Sequence, residues 1–139
     1  MGPSRKRSEL ESRYADLLEH LPVGVYRTRP DGAVVECNRA LATMLGFGEA
    51  AELQKQNVKD LFPRREDRDE HIRSILDHGE APAEFRLRRR DGSVIWVRDY
   101  MRAVREESGS VLWFDGIIVD ITEEHQVREI GRASCRERV

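Results

Sequence analysis

Residues 83–119 read as three hydrophobic segments divided by two turn signals. No other feature constrains the fold of this 139-residue chain as strongly. Ala83–Arg89 alternates, with Phe85 and Leu87 set against Glu84, Arg86 and Arg88, as expected of a strand that buries one face. Asp91-Gly92 follows, a pair suited to the positive φ angles of a two-residue hairpin turn. Val94–Val104 predicts a long strand, and Glu107-Ser108-Gly109 predicts the next turn. Ser110–Val119 predicts a last strand rich in β-branched and aromatic residues. Strands joined by such short turns must run antiparallel.

The upstream half supplies a second, smaller β unit and the helices. Val23–Thr28 and Ala33–Cys37 flank Pro30-Asp31-Gly32, a turn in which Pro presets φ and Gly accepts positive φ, so they form a hairpin. Asn38 is placed to cap a helix over Arg39–Leu45, which Gly46-Phe47-Gly48 ends. A short helix over Glu49–Lys55 follows. Val58, Leu61 and Phe62 are anchors for a small core. Glu66–His78 predicts the longest internal helix, with Ile72, Ile75 and Leu76 on one face and Gly79 as its stop. The order of two strands, several short helices and three antiparallel strands makes the fold class α+β, one sheet with helices grouped over one face.

Both ends predict further helix. In Arg5–His20, Leu10, Tyr14, Leu17 and Leu21 recur at four, three and four residues, with Leu18 widening the stripe and Pro22 closing it. Such an amphipathic helix either lies on its own domain or forms a dimer seam. At the other end, the strand before Asp120-Ile121-Thr122-Glu123 runs into a helix N-terminus. Asp120 or Thr122 is the cap, and Glu123 and Glu124 face the positive end of the helix dipole. Gly131–Val139 has no apolar periodicity and is expected to be vector-derived, with the natural protein continuing beyond about Ile130. The expected organisation is an N-terminal amphipathic helix at 1–20, a main domain at 21–122, the start of an exit helix at 123–130 and the tail at 131–139.

Composition removes several function classes. No apolar run approaches the roughly 20 residues of a membrane helix, so no membrane contact is expected. The basic N-terminus lacks the apolar segment of a secretory signal. The formal charge is −2, and with +2 in Gly131–Val139 the remainder carries −4, which gives no support to nucleic-acid binding. Two cysteines, Cys37 and Cys135, are too few for a disulfide framework, and a reducing cytoplasm is expected. No nucleophile sits beside a base in a motif, and there is no Gly-rich phosphate loop or metal-ligand cluster. His20, His71, His78 and His125 are scattered on helices or their ends. Catalysis by the chain itself is not expected, and no metal site is expected.

A set of blocks then points to a family. These are Leu21-Pro22-Val23-Gly24-Val25-Tyr26, Asp31-Gly32 through Asn38-Arg39-Ala40, Leu45-Gly46-Phe47, Phe85 through Asp91-Gly92-Ser93, Trp96-Val97, and Gly116 through Asp120-Ile121-Thr122-Glu123. Their order and spacing over Leu21–Gln126 resemble a PAS domain with its C-terminal PAC motif. The resemblance implies a PAS fold, a five-stranded antiparallel sheet of order 2-1-5-4-3 with short helices over one face. It further implies an enclosed pocket in a domain that gives sensory input to an output domain of the same chain. That output would be a histidine kinase of a two-component system, a cyclic-dinucleotide enzyme or a transcription regulator in a bacterial or archaeal-type signalling protein.

The same resemblance bears on cofactors. Flavin-binding photosensors of the family carry a reactive cysteine after an asparagine before the long helix. Here that stretch is Asn57-Val58-Lys59, and Val58 has no thiol. The positions that hold the flavin ring fall near Leu87, Val97 and Ile118, all apolar. In haem-binding members the axial histidine position falls near Arg68. His71, one turn later, reads as a surface histidine among Asp69, Glu70 and Arg73. Covalent flavin photochemistry and haem are therefore not expected, and the cofactor, if any, is left unnamed.

Strand alternation and the family register place Tyr26, Thr28, Val35, Cys37, Phe85, Leu87, Val97, Asp99, Met101, Ala103, Leu112, Phe114, Gly116 and Ile118 inside. Of these all but Ala103 and Leu112, together with Val58, are the ligand-pocket candidates. Asp99 is the one carboxylate among them and needs a partner such as Tyr26, Thr28 or an arginine. It reads either as a satisfied core aspartate or as a ligand contact. Cys37 reads as a small buried hydrophobe or a reactive thiol. On the other face Trp96, Tyr100, Trp113, Ile117 and Val119 form an apolar patch, for which the stripe at Leu10, Tyr14, Leu17 and Leu21 is a cover from its own chain or a partner's. A homodimer is expected. Two functions result: a sensory module that binds a small molecule or partner and signals through Asp120, Thr122 and Glu123, or a ligand-free structural dimer module.

Overall fold

The computed structural model describes residues 9, 10, 12, 13, 16, 22–79 and 81–137. Five strands form one antiparallel sheet: β1 Gly24–Thr28, β2 Val34–Cys37, β3 Ala81–Arg88, β4 Val94–Arg105 and β5 Val111–Asp120. Their spatial order is β2-β1-β5-β4-β3, the order that the family resemblance implies. The helices α1 Arg39–Met44, α2 Ala50–Gln54, α3 Arg65–His78 and α4 Thr122–Glu137 accompany them, with a 3-10 turn at Val58–Leu61. Among the described residues, no helix is long and apolar enough to cross a membrane.

Buried Asn38 fixes the first hairpin to the helices. Its Oδ1 accepts from the backbone N–H of Leu41, capping α1, and of Val25 on β1, both at 3.0 Å. Its Nδ2 donates to the Val23 carbonyl at 2.9 Å. A helix start and a strand start thus share one side chain, which leaves few backbone groups unpaired at the junction. α1 then lies so close to β1 that a Cβ on Gly24 would come within 2.7 Å of Leu41 Cδ1. Leu41, Leu45, Leu53, Ile75, Phe85 and Val97 fill the space between these helices and the sheet.

Alternation breaks at two bulges, and both overturn an expected inward position. Thr28 pairs with Val34 while Arg27 pairs with Glu36, so Val35 is the unmatched residue and Val34 takes the inward place. Val104 pairs with Trp113 while Arg105 pairs with Val111. Leu112 is the extra residue there, 40% exposed, and Val111 packs against the core instead. An extra residue in one strand flips the facing of the residues beyond it. On α3, Leu76 is exposed rather than on the buried face.

α4 does not stop at Ile130 but runs through Gly131 to Glu137. Glu9, Leu10, Ser12, Arg13 and Asp16 are helical, with Leu10 exposed. Tyr14, Leu17 and Leu21 of the proposed N-terminal stripe lie outside the described residues.

Candidate functional site

Between the inner sheet face and the helices lies a cavity of about 50 Å³. Its sheet wall is Tyr26, Thr28, Val34, Phe85, Leu87, Asp99, Met101, Phe114 and Ile118. Leu41, Leu45, Leu53, Val58, Leu61 and Phe62 line it as well, and α3 contributes Arg68, His71 and Ile72. Of the sequence-derived candidates, Tyr26, Thr28, Val58, Phe85, Leu87, Asp99, Met101, Phe114 and Ile118 stand on this wall. Four do not. Val35 is displaced by its bulge. Val97 is buried completely in the packed core. Cys37 packs at the core's edge, its thiol 3.4 Å from the Ala50 carbonyl. Gly116 lies beneath the Tyr26 ring, which occupies the space that a Cβ there would need.

The polar part of the wall is a chain of three side chains from three elements. The Tyr26 hydroxyl donates to the Asp99 carboxylate, at 2.9 Å from Oδ1 and 2.8 Å from Oδ2. His71 Nε2 lies 3.2 Å from Asp99 Oδ2 and donates to it when it carries the proton. All three are buried, so Asp99 has the partners that a desolvated carboxylate requires. Burial, and next the Asp99 charge, push the Tyr26 phenol well above its ordinary range. His71 Nδ1 is buried without a hydrogen-bond partner.

Two of these wall residues escape the sequence reading. His71 is not a surface histidine: it is 5% exposed, and its ring packs against Phe85 at 5.5 Å. Arg68, 9% exposed, sends Nη2 to the Pro30 carbonyl at 3.2 Å. Desolvation lowers its pKa. The signal was present: Arg68, His71, Ile72 and Ile75 stand at i, i+3, i+4 and i+7, the buried stripe of a helix.

The second feature is the junction between β5 and α4. Asp120 Oδ1 accepts from the Thr122 backbone N–H at 2.9 Å and from its hydroxyl at 2.6 Å. Thr122 Oγ1 in turn accepts from the Trp96 N–H at 3.0 Å, and the Ile121 N–H donates to the Trp96 carbonyl at 2.9 Å. The junction is thereby fastened to β4. The Trp96 ring stacks on His125 of α4 at 4.0 Å. Glu123 is exposed in the first turn, and Arg128 and Arg98 join α4 and β4 to Glu84 on β3.

On the outer face, Tyr100 and Ile117 are register neighbours and both exposed. The two tryptophans of that patch are partly covered, Trp113 by Arg27 and Trp96 by Arg86 and His125. Among the described residues, no group of three or more His, Cys, Asp and Glu could hold a metal.

Comparison with known proteins gives a consistent picture. A family model described as a PAS domain matches residues 22–123. The probable diguanylate cyclase DgcE of Escherichia coli is 26% identical over 129 residues, 90% of this chain and 12% of its own length. The oxygen sensor protein DosP of the same organism is 27% identical over 116 residues, 81% of this chain and 14% of its length. The chain therefore spans 12% and 14% of these curated relatives. Among solved structures, a sensory box histidine kinase/response regulator from Burkholderia thailandensis matches with a TM-score of 0.71 at 22% identity, over 90% of this chain and 96% of that one. At that identity the likeness is one of fold.

Proposed function

The chain belongs to the PAS domain family, a sensory, non-catalytic domain of signalling proteins such as histidine kinases, diguanylate cyclases and oxygen sensors, and from that premise we propose that it is the ligand-responsive input of a longer cytoplasmic signalling protein. Its cavity takes a small molecule, and the effect travels along β5 through Asp120, Thr122 and Glu123 to an output domain, a histidine kinase or a cyclic-dinucleotide enzyme. The supporting observation is that one strand carries both ends of the path. Phe114 and Ile118 face the cavity, and Asp120 ends the same strand where α4 begins. A cavity of about 50 Å³ suits a molecule of a few heavy atoms.

The relay is tested in the full-length protein with Asp120→Ala and Thr122→Ala. Losing a cap costs about 1 kcal/mol, so both variants should fold while the output stops following the input. Output that follows the input as in the wild type would overturn the relay. Mass spectrometry of a denatured extract from freshly purified protein tests whether the cavity carries a molecule.

A second reading, a ligand-free dimerisation module, draws support from the exposed Tyr100 and Ile117 on the outer sheet face. Adjacent exposed apolar residues suit a partner surface. It requires a dimer in sedimentation velocity that Ile117→Asp dissociates. A wild-type chain that stays monomeric at high micromolar concentration removes it.

A further inference from the structure

Resting on the reading of the cavity as a ligand site, we propose that its occupant is a short-chain carboxylate whose oxygens bind the Arg68 guanidinium. The pairing of the polar side chains in the cavity wall points this way. Asp99 already has two partners, Tyr26 and His71. Arg68 has the Pro30 carbonyl and, among the described residues, no ion pair. Two arginines of the sheet are paired by contrast: Arg27 is bidentate on Asp115 and Arg98 is bonded to Glu84. Asp31 and Asp69 attract Arg68 from a distance, but both side chains are exposed and neither bonds it.

A desolvated guanidinium with a neutral carbonyl as its partner is costly, and a carboxylate in fork geometry is its best complement. Size and lining narrow the class. One water needs about 10–15 Å³ of such space, so about 50 Å³ suits three to five non-hydrogen atoms, the range of acetate and propionate. Away from Arg68 and the Tyr26–Asp99–His71 chain the wall is mostly apolar, with Phe85, Leu87, Phe114 and Ile118 among its members. A phosphate or sulfate would leave polar oxygens against such a wall without donors. A carboxylate with a short alkyl tail places its charge on Arg68 and its tail on the apolar side.

The test is calorimetric titration of the intact chain with propionate, propanamide and 1-propanol, with amide NMR shifts to locate the binding. Propionate should bind saturably and at least about tenfold more tightly than either neutral compound, a gap of about 1.4 kcal/mol, with shifts at Phe114 and Ile118. In Arg68→Gln the preference should vanish. Comparison of the three compounds on the wild type needs no variant, so a misfolded Arg68→Gln would not blunt the test. Equal binding of propanamide or 1-propanol overturns the carboxylate assignment and leaves the sensory reading standing, as does a neutral molecule in the protein's own extract. Propionate shifts confined to the surface overturn it as well. An empty extract, with no saturable binding of any of the three, overturns both.

Discussion

Gly116→Ala should be among the most damaging single-methyl changes in this domain, and its damage should pass through Tyr26. Gly116 on β5 is the register partner of Tyr26 on β1 and of Met101 on β4. A Cβ there overlaps Tyr26 Oη and Cζ and stands 2.6 Å from Cε1, where ordinary contact begins at 3.4 Å. The ring must retreat by most of an ångström. Its hydroxyl is 2.8–2.9 Å from the Asp99 oxygens, so that retreat breaks the hydrogen bond and strips a buried carboxylate of one of its two partners. Losing a hydrogen bond to a charged group costs about 1.5–3 kcal/mol, and overpacking adds about 1–3 kcal/mol. The expected total, about 2.5–6 kcal/mol, is a large part of a native stability of about 5–15 kcal/mol. Urea unfolding measures it as a shift in midpoint at constant slope. The mechanism is isolated by a cycle with Tyr26→Val, which keeps a strand-favouring side chain and removes the ring. In that background Gly116→Ala should cost less than about 1 kcal/mol, because residues in contact fail to add. The same cost in both backgrounds would refute the reasoning.

Three further outcomes rest on the same contacts. The Tyr26 phenol is raised above its ordinary 10.0, by burial first and by Asp99 second. The unfolded chain then releases this proton at lower pH than the folded one, so the contribution is complete below about pH 10 and is lost as pH climbs towards the folded value. Alkaline loss of stability should be shallower in Tyr26→Phe than in the wild type, and equal slopes would count against it. Val34→Ala should cost about 2 kcal/mol, two buried methyl groups, and Val35→Ala under about 1 kcal/mol; the reverse order in urea midpoints would place the bulge elsewhere. Glu84 is held below its ordinary range chiefly by Arg98 and then by Arg128, so its contribution is present above about pH 4.5 and fades as pH falls. Glu84→Gln should speed amide exchange in the first turns of α4 while moving the urea midpoint little. That difference should shrink in 1 M salt, where screening reaches about 3 Å; an exchange rate insensitive to both would break the link between Glu84 and α4.

Legibility in the sequence followed the strength of the local signal. The meander from β3 to β5 could be read because alternation and the Asp91-Gly92 turn act within a few residues, and both depend on backbone geometry alone. The strand order came from the family resemblance, since nothing in the spacing of β1 and β2 says that β1 pairs with β5. The bulges could not be read at all. Val34 and Val35 are chemically identical, and so nearly are Val111 and Leu112, so which of each pair turns inward is decided by register with the neighbouring strand. Alternation counted along one strand has no access to that register, and one slipped residue exchanges the two faces.

The polar wall was hidden for a different reason. α3 reads REDRDEHIRSILDH, and in so charged a segment polar residues are naturally assigned to solvent. The assignment fails because both side chains find partners in the interior, His71 the Asp99 carboxylate and Arg68 the Pro30 carbonyl, and so can occupy helix positions otherwise reserved for apolar side chains. Arg68 and His71 hold such positions beside Ile72 and Ile75. The consequence extends beyond burial. Tyr26 is held between Asp99 on one side and Gly116 on the other, so anything that draws Asp99 or His71 towards a bound molecule alters how the Tyr26 ring bears on β5. In the proposed relay that strand ends at Asp120, whose carboxylate fixes Thr122 and hence the first turn of α4. The absence of a side chain at Gly116 is therefore what brings the cavity's polar groups into contact with the strand that leaves it.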